Sequence, residues 1–105
     1  MLVNLNTDSN IKGTEELAQL LEAMIRDTLG YLAEHVTRVE IHLSDANSAT
    51  KDGPEDMRCL LEARPAAHQP IAVSHQAATV AQAADGAADK LKHALERLLG
   101  RLAAR

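Results

Sequence analysis

From Thr37 to Asp45 the chain reads TRVEIHLSD, and this stretch decides the fold. Val39, Ile41 and Leu43 alternate with Arg38, Glu40 and His42, the period of a strand with one dry face and one wet face. The residues before it keep a different period. Between Glu15 and about His35 the apolar positions are Leu17, Leu20, Leu21, Met24, Ile25, Leu29 and Leu32, which share one face of a helix. Thr14 is a suitable N-cap, and Glu15 and Glu16 suit the positive end of the helix dipole. Gly30 weakens this helix near its end, by roughly 1 kcal/mol relative to alanine.

Working outward, LVNLN at residues 2–6 reads as a short strand, and turn formers follow it. Beyond the central strand, SDANSATKDGPED at 44–56 is a loop, MRCLLEAR at 57–64 a strand, PAAHQP at 65–70 a turn and IAVSHQ at 71–76 another strand. From Thr79 to about residue 103, Val80, Ala84, Ala87, Ala88, Leu91, Leu95, Leu98, Leu99 and Leu102 make one stripe, so a long helix closes the chain. Gly86 and Gly100 are its weak points. The order β-α-β-β-β-α predicts an α+β two-layer sandwich, a four-stranded sheet with two helices on one face, built as a single domain over residues 1–105.

Composition narrows the function. Nineteen alanines and fifteen leucines dominate the apolar set, with Tyr31 as the sole aromatic. A net charge of −4 excludes a protein that coats nucleic acid by bulk charge, and the scarcity of aromatics removes the usual base-stacking platforms. Cys59 alone cannot make an internal disulfide or a four-cysteine zinc site, and its inward strand position predicts an inert thiol. MLVNLNTDSN is no signal peptide, and no apolar run is long enough to span a bilayer, so a cytoplasmic protein without a membrane partner is expected.

The residues that suggest chemistry mostly have bland readings. His35, His42, His68, His75 and His93 show no helical metal spacing, although His42 and His75 are candidates for one sheet face. Asp45, Asn47, Asp52, Glu55 and Asp56 lack the spacing of a calcium loop and carry Lys51 among them. Ser74 and His75 are strand neighbours, hence on opposite faces, and no carboxylate pair or glycine-rich phosphate loop is present. No enzymatic activity, cofactor or metal is expected. The wet sheet face, with Arg38, Glu40, His42, Arg58, Leu60, Glu62 and Arg64, suits cross-strand ion pairs.

In the last helix, TVAQAADGAADKLKHALERLLGRL, an alanine-rich turn with Asp85–Gly86 precedes Asp89–Lys90–Leu91 and a basic second half. Together with VEIHLSD, RCLLEARP and PIAVSHQ in the middle strands, this resembles the ribosome hibernation-promoting factor and ribosome-associated inhibitor family over roughly residues 1–102. The expected form is the short one, without the C-terminal dimerisation domain of longer members. The resemblance implies a cytoplasmic bacterial factor that sits in the decoding region of the small ribosomal subunit. There it would touch ribosomal RNA, exclude transfer and messenger RNA, and silence translation under stress.

Charge geometry adds a surface. With Lys90 at zero on the helical wheel, Arg97 falls at about −20°, Arg101 at about +20° and His93 at about −60°. The apolar stripe centres near ~110°, and Asp85, Asp89 and Glu96 cluster near ~240°. The basic ridge lies either beside the first helix or along the outer flank. Lys90, Lys92, Arg97 and Arg101 are the expected phosphate contacts, joined by His93 and Arg26. Residues 78–105 carry a net +2, whereas residues 13–36 carry −4. That acidic first helix motivates the alternative: a divergent protein-interaction or regulatory module of the same fold that does not bind ribosomes.

Overall fold

The computed structural model describes residues 1–9, 11–45 and 57–103, with side chains described as far as residue 100. Its elements are β1 (Leu2–Thr7), α1 (Glu15–Leu29), a 3-10 segment (Gly30–His35), β2 (Val36–Asp45), β3 (Met57–Pro65), β4 (Ile71–Ala77) and α2 (Val80–Ala103). The expected α+β order is present. The sheet runs β1-β2-β3-β4; β1 is parallel to β2 across the α1 crossover, and the other pairs are antiparallel. Among the described residues β1 and β4 are therefore the free edges. Of the expected loop at 44–56, Ser44 and Asp45 instead complete β2, paired with Arg58 and Met57, and residues 46–56, with Asn47, Asp52, Glu55 and Asp56, lie outside the described residues.

Thr14 caps α1 as expected, its hydroxyl accepting from the Leu17 N–H at 3.1 Å. The helix stops earlier than its apolar stripe predicts. Gly30 takes φ 57°, a conformation that glycine adopts without steric cost, and the remaining turn to His35 is 3-10 rather than α. Leu32 stays buried on this tighter turn, so the stripe is kept while the helix type changes. β2 likewise begins before Thr37. A register shift between Val36 and Arg38 forms a bulge at Thr37, which lets both Val36 and Val39 face the core although they are three residues apart.

Both helices press on one sheet face. Leu21, Ile25 and Leu29 of α1 meet Val39, Ile41, Leu43, Cys59, Leu61 and Ala63 of the sheet in a single core. α2 contributes Ala83, Ala84, Ala87 and Ala88, then Leu91 and Leu95. The first half of α2 thus rests on the sheet through methyl groups, which permits a close approach of helix and strand. Cys59 is buried, and burial pushes its thiol up to about 12, so it stays protonated as expected of an inert core thiol.

Candidate functional site

α2 lies over β3 and β4, with α1 along its other flank. Two contacts fix its rotation. His75 of β4 pairs in register with Cys59 and so stands on the helix-facing side of the sheet, opposite to His42; the two histidines do not share a face. The His75 ring fills the space beside Gly86: a Cβ there would collide with His75 Cδ2. Gly86 is a seat rather than a weak point. One turn on, Lys90 Nζ donates to the Ser74 carbonyl of β4 at 2.8 Å. The basic ridge therefore runs along the outer flank of α2, beside the free edge of the sheet.

The structure brings some of the expected contacts together and separates others. Lys90, His93 and Arg97 are exposed along this flank, and His93 Nδ1 lies 2.9 Å from the Asp89 carbonyl of its own helix. Arg101 lies in the last turn of α2. Lys92 is half-buried and lies ~200° from Lys90 on the wheel, on the flank that meets α1. Arg26 sits at the opposite edge of the sheet. Its Nε donates to Glu22 Oε2 at 2.9 Å and its Nη2 to the Met1 carbonyl at 2.6 Å.

Two depressions open along the seam between β4 and α2. The larger, about 710 Å³, runs along the β4 edge from Ser74 to Ala78 and is closed by Gln82 and Lys90 of the helix. The smaller, about 390 Å³, lies between His68–Ile71 and the helix residues Ala94, Arg97 and Leu98. Sequence reading misses His68, His75 and Gln82 as parts of this surface. The one available signal is Gly86, which interrupts the alanine-rich first half of α2 about −40° from Lys90, on the basic flank.

The β1–β2 part of the wet sheet face and the His42–Glu62 pair are tied up among themselves. Asn4 and Asn6 of β1 each donate to Glu40 at 3.0 Å, and Arg38 Nε donates at 2.5 Å. The Asn4, Asn6 and Arg38 hydrogen bonds, in that order, hold the Glu40 carboxyl down at about 2. His42 Nε2 meets Glu62 of the neighbouring strand at 2.7 Å, one of the cross-strand pairs the sequence predicts. Among the described residues no three His, Cys, Asp or Glu side chains gather as a metal site, and no helix is long and apolar enough to cross a membrane.

Set against known proteins, the chain matches the family described as Sigma 54 modulation protein / S30EA ribosomal protein over residues 7–103. The chain belongs to that family. Its fold is similar to the N-terminal domain of Protein Y from Thermus thermophilus: 18% identity, TM-score 0.73, covering 93% of this chain and 99% of that one. It is also similar to a ribosomal subunit interface protein from Coxiella burnetii: 10% identity, TM-score 0.76, covering 95% and 99%. At those identities the likeness establishes the fold of this S30EA-family chain. No curated protein matches it in sequence. Membership agrees with the resemblance carried by the closing helix and the middle strands.

Proposed function

We propose that this chain is a non-catalytic ribosome-associated factor that binds the small subunit through its ribosomal RNA and inactivates translation under stress. Membership of a family described by a ribosomal protein supports ribosome association, as do the names of its two structural relatives. The observation that carries the RNA contact is the outer flank of α2. Among the described residues no carboxylate pairs with Lys90, whose partner is a neutral carbonyl, so its full charge faces the solvent beside Arg97. Such cations exchange condensed counterions for phosphates.

Sedimentation through sucrose gradients at low and moderate salt tests the proposal. Wild type travels with small subunits, and an Arg97→Glu/Arg101→Glu variant shifts to the top of the gradient. Its salt dependence is flatter, by about one unit of slope for each phosphate the variant no longer neutralises. A double variant that co-sediments like wild type sinks the assignment. A second reading, a protein-interaction module without ribosome affinity, is favoured by the acidic first helix and by the Glu22–Arg26 pair that cancels its one cation. Pull-down from a stationary-phase lysate separates the two: ribosomal RNA in the eluate supports the first, a discrete non-ribosomal partner the second.

A further inference from the structure

We propose that the seam between β4 and α2 is a two-seat track for two phosphates of one nucleic-acid strand, in which His75, Gln82 and His68 share the work with Lys90 and Arg97. The inference rests on the RNA-binding reading above and deepens it, naming where the backbone runs and which uncharged side chains line it.

The two depressions repeat one composition. Each holds one helix cation and one imidazole: Lys90 with His75 in the first, Arg97 with His68 in the second. Among the described residues no Asp or Glu lines either of them. Lys90 and Arg97 are seven residues apart on one flank, which sets the seats ~10.5 Å apart along the helix axis. That arrangement fits a polyanion better than a single anion, because a strand held at one seat meets the other at high effective concentration.

The first seat is held in shape before any ligand arrives. His75 is wedged beside Gly86, and the Lys90 ammonium is anchored on Ser74 without loss of charge. Gln82 brings an amide N–H to the rim, while its main-chain N–H is already spent on the Thr79 hydroxyl at 3.1 Å. The same lysine argues against another occupant. A cation laid over a free strand edge obstructs pairing with a further strand, so the edge is ill suited to sheet extension.

Two-dimensional NMR of the full chain, titrated separately with a short single-stranded RNA and with inorganic phosphate, provides the test. The RNA is expected to move the His75 and His68 ring signals together, whereas phosphate at equal phosphate concentration moves them far less. Gln82→Glu and His68→Glu each place a carboxylate in one seat and are expected to weaken RNA binding roughly tenfold, and to weaken ribosome co-sedimentation alongside. Gln19→Glu on exposed α1 adds the same charge outside the seam and is expected to lower both far less, through screened long-range charge alone.

RNA that leaves both histidines unmoved overturns the track, as does phosphate alone binding as tightly as RNA. Full ribosome binding by Gln82→Glu and His68→Glu, with the defect confined to Arg97→Glu/Arg101→Glu, overturns the track but leaves the ribosome reading standing. Wild-type protein that stays off ribosomes while RNA still moves both histidines sinks the ribosome reading and supports the track.

Discussion

At each free edge of the sheet a cation on the covering helix reaches a main-chain carbonyl, and there the likeness ends. Beside β1, Arg26 holds the Met1 carbonyl with Nη2 but spends its Nε on Glu22. Beside β4, Lys90 holds the Ser74 carbonyl and pairs with no carboxylate among the described residues. A neutral acceptor anchors a cation and leaves its field intact; a carboxylate anchors it and cancels the field at a distance. One edge is electrically quiet and the other is charged, although both use the same hydrogen bond. The difference lies in a single acidic neighbour.

The largest expected effect comes from removing the seat that shapes the charged edge. Gly86→Ala improves helix propensity, yet its methyl meets the His75 ring, so we expect a net destabilisation of about 1–3 kcal/mol from overpacking. Thermal melting reads this as a drop of about 4–8 °C per kcal/mol. A melting point equal to or above that of wild type would show that His75 moves aside freely. The quiet edge has its own weak point at Thr14. Thr14→Ala removes the cap of α1 and is expected to cost about 1 kcal/mol by denaturant titration, without changing RNA binding. Reduced RNA binding in a folded Thr14→Ala protein would show that the two edges are not independent.

Glu22→Gln removes the carboxylate from Arg26 and keeps its Met1 anchor, as Ser74 anchors Lys90. Because the pair is half exposed, stability falls by less than about 0.5 kcal/mol. Low-salt RNA binding is expected to rise, with a salt slope steeper by up to about one unit. An unchanged slope would mean that a cation needs the seam around it and not only its charge. The smallest effect belongs to the face between the edges. Glu40 titrates near 2 in the folded protein against an ordinary 4.5, so its contribution to stability is complete above about 4.5 and is lost as pH falls towards 2. A carboxyl-carbon NMR titration checks the value. Asn4→Ala is expected to raise it, and a Glu40 signal titrating in the ordinary range would show that the β1 amides do not hold it.

Much of this is legible in the chain. TRVEIHLSD and the two helix stripes carry their periods openly, because burial on one face imposes them, and the element order follows. What escapes depends on contacts between distant residues. The end of α1 at Gly30 turns on a positive φ that no period encodes. Val36 hides behind a bulge that breaks alternation for one residue. The helical wheel places Lys90, Arg97 and Arg101 on one flank and the acidic residues on another, but it does not tell which flank α1 will occupy. That choice follows from the parallel pairing of β1 with β2, which puts α1 at the β1 end of the sheet and leaves the β4 side open. Charge alone groups Lys92 with the ridge, and its phase removes it. The His75–Gly86 fit joins a strand residue to a helix residue eleven positions on, a relation that appears only once the layers are stacked.

The methyl-sized contacts under the first half of α2 also set the reach of its flank. Ala83, Ala84 and Ala87 let the helix settle low over the strands. From that height a lysine stem is long enough to lay its ammonium on the rim of the sheet. Leucines at those places would lift the axis and leave the same ammonium waving in water, so in this molecule alanine, the least reactive of side chains, governs where the positive charge stands.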